Sequence, residues 1–260
     1  MTTPPGPADP VAGQTALVTG AGNGLGRAMA VALGAAGARV VLTGRNQANL
    51  ETVAETIGAG SVVAAVDTSS EDSVAALAAS LSREHVSILV NNAGIAGPVK
   101  PLTDVSAAEW DEVFAVNVRG IFLMCRAFLP AMVARGRGAV VNVASVSGKR
   151  PLPRRTPYTS SKMAVIGLTT TLAHEVGRFG VTVNTLSPGP VSGARMATNF
   201  AREAELTGTT ARQAEEEFVS RSALNRMVTE TEVASTLLAM LAMPGLTAAD
   251  VDLSAGMVAR

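Results

Sequence analysis

Three residues near the middle of the chain carry side chains that could move a proton to or from an alcohol. Tyr158 and Lys162 are four residues apart, so they share a face if the segment TSSKMAVIGLTTTLAHEV is helical. A tyrosine is a weak base near neutral pH, but a neighbouring ammonium favours the phenolate. Ser145 ends the apolar run AVVNVAS, and its hydroxyl could donate to a carbonyl oxygen. Together they predict a site that holds an alcohol or a ketone and transfers one proton.

A tyrosine and a lysine at this spacing occur by chance in many helices, so the chemistry depends on a hydride partner. Residues 19–26 read TGAGNGLG, between an apolar run and a segment with helical spacing of its apolar residues. Glycines let backbone approach a pyrophosphate, and a helix N-terminus attracts the anion. The predicted cofactor contacts in this turn are Gly20, Asn23, Gly24, Leu25 and Gly26. Alternatively, the glycines only allow close packing of strand and helix.

The residues that follow the second and third predicted strands bear on which dinucleotide binds. An acidic residue after the second strand would bind the ribose 2′-hydroxyl of NAD, whereas an arginine would bind the 2′-phosphate of NADP. Arg45 stands there without a carboxylate, which favours NADP(H) and leaves NAD(H) possible. Arg45 could equally be a solvated residue at a helix start. Asp67 and Thr68 are predicted cofactor contacts after the third strand, although Asp67 could instead cap the next helix.

The composition excludes several classes of protein. Lys plus Arg and Asp plus Glu are both 21, so the zero formal net charge attracts neither nucleic acid nor an anionic membrane. Cys125, the single cysteine, excludes an internal disulfide and is typical of a buried helix thiol. His85 and His174 are not spaced as a metal pair, so we predict no metal site. The N-terminus lacks the basic start and apolar segment of a signal peptide, and we expect a cytoplasmic protein without a membrane span.

Apolar runs alternate with amphipathic segments along the chain, which is typical of a parallel sheet covered by helices. The pattern predicts the α/β class: a single-domain, doubly wound Rossmann fold with a seven-stranded parallel sheet and helices on both faces. We expect residues 13–260 to form this domain after a disordered Pro-rich tail over 1–12. One helix is predicted from Ala107 to Ala134. Residues 190–226 break the alternation and predict two amphipathic helices that form a substrate lid.

Several further motifs stand at the predicted carboxyl ends of strands, where such a sheet binds ligands. In chain order, the motifs are TGAGNGLG, Asp67, NNAG at 91–94, Asn117, Ser145, YTSSK at 158–162 and the pair Pro188-Gly189. Together they resemble the short-chain dehydrogenase/reductase family, from about Gln14 to Leu253. The resemblance implies that Tyr158 is the general acid or base and that Lys162 lowers its pKa and holds the nicotinamide ribose. It implies that Ser145 orients the substrate oxygen and that Asn117 holds a water in a proton relay.

The resemblance implies further cofactor contacts at Asn92, Ala93, Gly94, Pro188, Gly189 and Val191. It also implies a homotetramer or homodimer built through the helices at 107–134 and 158–178. Two positions depart from the family pattern: Gly193 replaces a frequent threonine, for which Ser192 could substitute, and Ser254-Ala255-Gly256 replaces a frequent Gly-Gly. These departures leave open the nicotinamide contact and the end-to-end subunit contact.

The segment between Ser145 and Tyr158 contains four basic residues: Lys149, Arg150, Arg154 and Arg155. If this loop borders the pocket, it favours a small substrate with a carboxylate, sulfonate or phosphate. The alternative is a solvated or subunit-contact loop. Two functions remain: an NAD(P)(H)-dependent oxidoreductase that interconverts a secondary alcohol and a ketone, and a non-catalytic dinucleotide-sensing protein. The set Asn117, Ser145, Tyr158 and Lys162 favours the enzyme, because a sensor would not need all four.

Overall fold

Seven strands form one parallel sheet in the order β3-β2-β1-β4-β5-β6-β7. The computed structural model describes residues 11–258, apart from the side chains at 194, 195, 202 and 206. The strands are β1 (Thr15–Thr19), β2 (Arg39–Gly44), β3 (Ser61–Ala65), β4 (Ile88–Asn91), β5 (Gly138–Val143), β6 (Val181–Pro188) and β7 (Asp250–Leu253). The strand order reverses between β1 and β4, which is where doubly wound sheets open a crevice for ligands.

Helices connect the strands as the alternating pattern predicts. They are α1 (Gly24–Ala35), α2 (Gln47–Ile57), α3 (Glu71–Ser80), α4 (Ala107–Phe114), α5 (Gly120–Arg135), α6 (Thr156–Val176), α7 (Ala194–Thr207), α8 (Ala211–Val219) and α9 (Glu230–Leu241). The amphipathic pattern of residues 190–226 predicted α7 and α8 correctly.

Apolar side chains pack on both faces of the sheet. On β1, Val18 joins the core that contains Met29 of α1, whereas its neighbour Leu17 joins the core that contains Met124 of α5. Successive strand residues point to opposite faces, so two covered faces require a nearly continuous apolar strand. The prediction of a doubly wound parallel sheet with helices on both faces is confirmed.

The long helix predicted from Ala107 to Ala134 contains a wider turn near its middle. Residues Ala115–Arg119 form a π turn between α4 and α5. The run Ala107–Arg135 is long and apolar enough to cross a membrane by length and composition, yet half of its most apolar window is buried in the protein. Met124 and the buried thiol of Cys125 lie in the core, so the run is used as a core helix.

The two ends of the predicted lid meet beside the sheet. Val191 and Val228 form an isolated parallel bridge, and the N–H of Ser192 donates to the Val228 carbonyl oxygen at 2.8 Å. At the N-terminus, Val11 was expected in the tail but is only 1% exposed and packs in the core. Residues 1–10 of that predicted tail lie outside the described residues.

Candidate active site

Tyr158 and Lys162 lie one turn apart in α6 and line the same cleft. The Lys162 Nζ donates a hydrogen bond of 2.8 Å to the carbonyl oxygen of Val143, the last residue of β5. The same Nζ lies 5.8 Å from the centre of the Tyr158 ring. Burial lowers the pKa of Lys162 to about 8, because the charged ammonium is disfavoured away from water. Lys162 therefore places a titratable amine beside the Tyr158 ring in this cleft.

Ser145 follows β5 and caps the short 3-10 turn Val146–Gly148. Its Oγ accepts a hydrogen bond of 3.1 Å from the N–H of Ser147 and donates a long one of 3.4 Å to the carbonyl oxygen of Pro188. The turn lies against α6 because residue 148 is glycine: a β-carbon there would be 2.9 Å from the backbone nitrogen of Met163. The Ser145 proton is therefore held by a weak bond, which a substrate oxygen could replace.

Asn117 lies in the π turn and is fully buried. Its amide nitrogen donates to the carbonyl oxygen of Ile95 at 2.9 Å and to the Ser161 hydroxyl at 3.0 Å, and its amide oxygen accepts from the N–H of Ile95 at 2.8 Å. The Ser161 hydroxyl donates in turn to the carbonyl oxygen of Tyr158 at 2.7 Å. Asn117 therefore ties the loop after β4 to the first turn of α6. Single π turns in longer helices are frequent at functional sites.

The glycine turn after β1 opens onto a cleft of about 1140 Å³. Gly26 allows the turn to close on itself, because a β-carbon there would overlap the carbonyl oxygen of Gly20. The side chain of Asn23 does not cap α1, although Asn23 precedes its first residue. Gly24 and Leu25 line the cleft, so the open N–H groups and positive dipole end of α1 face it. This cradle and the size of the cleft fit the pyrophosphate of a dinucleotide.

The ends of β2 and β3 supply Arg45 and Asp67 to the same cleft. Asn46 caps α2, so Arg45 lies outside that helix. Hydrogen bonds from the hydroxyl and the N–H of Ser69 hold the pKa of Asp67 below its usual range, with a smaller contribution from the charge of Arg45. Ser70 caps α3, so the alternative reading of Asp67 as the cap was wrong. Arg45 and Asp67 are both available to a ligand at this end of the cleft.

Most of the predicted site residues lie on the cleft wall: Gly20, Asn23, Gly24, Leu25, Gly26, Arg45, Asp67, Thr68, Asn92, Ala93, Gly94, Tyr158, Lys162 and Val191. Four predicted site residues are not among those that line this cleft: Asn117, Ser145, Pro188 and Gly189. Ser145 is 8% exposed, and the N–H of Gly189 donates to Leu253 at 2.8 Å. Gly193, which replaces a frequent threonine of the family, and Ser192, which could substitute for it, both line the cleft.

Sequence reasoning missed Glu230, a carboxylate on the same wall. Glu230 is the first residue of α9, and its Oε1 lies 3.9 Å from the position that a β-carbon on Gly24 would take. The chain separation between these residues is too large for any spacing rule. The apolar wall residues Ile95, Ala96, Val143 and Ala144 were missed as well. Val143 ends β5 and Ala144 follows it, whereas Ile95 and Ala96 follow the NNAG motif at the end of β4.

The basic loop after Ser145 does not line the cleft within the described residues. The Lys149 side chain is 5% exposed and forms ion pairs with Asp250 and Asp252 of β7, so it is not available to bind an anionic substrate. A guanidinium N–H of Arg155 donates to the carbonyl oxygen of Ala96 at 3.2 Å. Arg154 is exposed. Among residues 11–258, no group of three or more His, Cys, Asp or Glu side chains could hold a metal ion.

A parallel sheet with a dinucleotide cradle and a Tyr–Lys pair at its crevice defines an oxidoreductase of the Rossmann class. Residues 14–205 match the family model described as short chain dehydrogenase, and the chain belongs to this family. Galactitol 2-dehydrogenase (L-tagatose-forming) of Cereibacter sphaeroides is 45% identical over 69% of this chain and 72% of its own length.

Two solved structures are similar over nearly the whole chain. A variant of actinorhodin polyketide ketoreductase with NADPH has 30% identity and a TM-score of 0.87, over 94% of this chain and 97% of its own. The NAD+-bound xylitol dehydrogenase has 25% identity and a TM-score of 0.87, over 95% of this chain and 99% of its own. The predicted family and enzyme class are confirmed: the protein is an oxidoreductase that acts on CH–OH groups with a nicotinamide dinucleotide. The alternative of a non-catalytic sensor receives no support from these relatives.

Proposed function

We propose that this protein interconverts a neutral secondary alcohol and the corresponding ketone with NADP(H), and that Tyr158 is the general acid or base. The observation that carries the proposal is that Tyr158 and Lys162 share one cleft with the glycine cradle of α1. A proton donor and a hydride carrier must reach the two atoms of one carbonyl group, and a common cleft allows this.

A nicotinamide dinucleotide held by the glycine turn of α1 and by Lys162 would supply a hydride to the substrate carbon, or accept one from it. In the direction of reduction, the Tyr158 hydroxyl donates its proton to the substrate oxygen as negative charge develops there. The Lys162 ammonium stabilises the phenolate that remains, and the Ser145 hydroxyl donates a second hydrogen bond to the same oxygen. In the direction of oxidation, the Tyr158 phenolate takes the alcohol proton. Both amide hydrogens of Asn117 are already donated, so this side chain cannot donate a hydrogen bond to a relay water and could only accept one.

The preference for NADP(H) rests on the end of β2. Arg45 lines the cleft there and is exposed, so its guanidinium can turn towards a 2′-phosphate and donate two hydrogen bonds. The neighbouring wall residues Asn46 and Gln47 are uncharged. The carboxylate of Asp67, which lies at this end of the cleft and interacts with the charge of Arg45, accepts hydrogen bonds from Ser69.

The walls near α6 favour a neutral substrate. Ile95, Ala96, Val143 and Ala144 are apolar and line the cleft beside the Tyr158 helix. Arg45 is the only arginine on the described wall, and it lies at β2, on the far side of β1 from β5. Galactitol, for which one relative is named, is a neutral alcohol of this kind.

Assembly into a homodimer or homotetramer is also proposed, through the faces of α5 and α6 that the sheet leaves uncovered. Phe122 of α5 and Met163 of α6 are 46% and 47% exposed, although both are large apolar residues. Large apolar side chains that remain exposed on helix faces are typical of subunit contacts. Static light scattering would measure the assembly directly, and a monomeric mass at micromolar concentration would contradict it.

The function is tested by following oxidation of NADPH and of NADH with matched panels of neutral and carboxylated ketones, and the reverse reaction with the alcohols. We expect turnover of neutral ketones, with a higher kcat/KM for NADPH than for NADH. Cofactor binding without turnover on any substrate of the panels would contradict the catalytic proposal. Faster turnover of the carboxylated ketones would contradict the neutral substrate class alone.

A further inference from the structure

Lys149 forms an ionic cluster with two carboxylates of β7. Its Nζ donates to Oδ2 of Asp250 at 2.7 Å and also to Oδ1 of Asp252. The hydroxyl of Ser187 in β6 donates to the other oxygen of Asp250 at 2.6 Å. The side chains of Lys149 and Asp250 are only 5% and 10% exposed. Charges so far from water are costly when unpaired, so Lys149 cannot leave this position without a large penalty.

Hydrogen bonds make the segment from Ser145 to Lys149 a single turn. The N–H of Gly148 donates to the carbonyl oxygen of Ser145 at 3.0 Å, and the N–H of Lys149 donates to that of Val146 at 3.0 Å. The Oγ of Ser145 accepts from the N–H of Ser147 inside the same turn. A displacement of Lys149 would therefore move the backbone of Ser145 as well.

This turn is held from two sides. On one side, Gly148 lies against the backbone of α6, since a β-carbon on it would be 3.0 Å from the carbonyl carbon of Lys162. On the other side, the ion pairs of Lys149 attach the turn to β7, the edge strand next to β6. The ion pairs with β7 add to the contact with α6 and to the long hydrogen bond from Ser145 to Pro188, and they oppose a movement of the turn away from the helix.

We infer that Lys149 is a positioning residue, whose ion pairs with Asp250 and Asp252 hold the Ser145 turn where the Ser145 hydroxyl meets the substrate oxygen. The inference rests on the proposed function, because it takes from it the role of Ser145. It gives a physical reason for a buried lysine at the end of a catalytic loop, where the sequence had indicated an anion-binding group.

A double-mutant cycle tests the inference: Lys149→Met, Ser145→Ala and the double variant, with kcat measured at saturating NADPH on an accepted ketone. Lys149→Met should lower kcat by about 100-fold, the effect of a misplacement of about 1 Å. The affinity for NADPH, measured by its fluorescence, should change by less than about twofold. In the Ser145→Ala background, Lys149→Met should cause no further loss, because the hydroxyl that it positions is already absent.

Lys149→Arg should restore most of kcat, and Arg154→Met, in the same loop but exposed, should leave kcat unchanged. Circular dichroism gives the folded fraction of every variant. If Lys149→Met does not fold, Asp252→Asn, which keeps one ion pair, replaces it in the cycle with the same expectation of non-additivity. Equal losses in both backgrounds, or an unchanged kcat in the single Lys149 variant, would overturn the inference. Full turnover in Ser145→Ala would show that Ser145 does not have its proposed role, and this would overturn the inference as well. Because this result appears in the Ser145→Ala variant alone, it is distinguished from a failure of the role of Lys149.

Discussion

Replacement of Lys162 by methionine should stabilise the protein at neutral pH while it removes activity. Lys162 is 5% exposed, and burial lowers its pKa from 10.5 to about 8. A pKa shift of this size means that burial of the charged Lys162 lowers the free energy of unfolding by about 3 kcal/mol, as long as Lys162 is protonated in both the folded and the unfolded protein. Methionine of similar length avoids this cost but loses the hydrogen bond to Val143, which contributes about 1 kcal/mol. We therefore expect Lys162→Met to be more stable at pH 7 by about 2 kcal/mol.

The pH dependence distinguishes this cause from better packing. Below pH 8, both the folded and the unfolded chain carry the lysine proton, and the full cost is present. Between about 8 and 10.5 the folded protein loses this proton while the unfolded chain keeps it, so the stability of the wild type rises with pH. Above that range both states are neutral, and the methionine variant should be the less stable by about 1 kcal/mol, the lost hydrogen bond.

Urea denaturation of the wild type and of Lys162→Met across this pH range measures the difference in the free energy of unfolding. The pair should be compared in the Tyr158→Phe background as well, because this removes any contribution from a phenolate beside the ammonium. A difference in stability that stays constant with pH in both backgrounds would refute the reasoning, since only the titration of Lys162 makes it change.

Three further variants or treatments probe the cleft and the core. Arg45→Ala should weaken NADPH binding by about 10-fold to 100-fold, because it removes a charge-assisted hydrogen bond, and should leave NADH binding unchanged. Equal losses of affinity for both cofactors, measured by calorimetry, would contradict the 2′-phosphate contact. Glu230→Gln should tighten NADPH binding by about fivefold at low salt, because a carboxylate beside Gly24 repels the pyrophosphate by about 1 kcal/mol. The control Glu55→Gln, on the exposed face of α2, should leave NADPH binding unchanged. Weaker binding in Glu230→Gln would contradict this repulsion and indicate a bridging cation. Cys125, whose pKa burial raises to about 12, should resist iodoacetamide in the folded protein and react after denaturation; rapid labelling of the folded protein would contradict its burial.

The fold was predictable because the pattern of apolar residues in the sequence indicates which strands are buried. A strand covered on both faces needs a nearly continuous apolar run, and each such run was assigned from this signal alone. The end of β6 at Pro188 was also predictable from a local signal, because proline has no N–H to donate to the backbone hydrogen bonds of a sheet. The π turn at Ala115–Arg119 was not predictable, because its residues have the same helical spacing as those of α4 and α5.

Which residues reach the cleft was predictable where the motif is local, as for Gly26 in the first turn of α1 and Lys162 one turn after Tyr158 in α6. Contacts between distant segments were not. Glu230 faces Gly24 only because α9 packs beside α1. Lys149 was expected to bind an anion, and its partners Asp250 and Asp252 are brought to it by the pairing of β7 with β6. A basic residue in a loop gives no sequence signal of which carboxylate it will meet.

The most direct test is single-turnover transfer in Tyr158→Phe. Enzyme saturated with NADPH is mixed with an accepted ketone, and loss of the reduced nicotinamide absorbance is followed in stopped flow beside the wild type. We expect NADPH to bind both proteins equally and the transfer rate to fall by about 100-fold or more in the variant, because the proton donor is absent. A variant that binds NADPH normally and transfers at the wild-type rate would contradict the role of Tyr158, and with it the proposed mechanism.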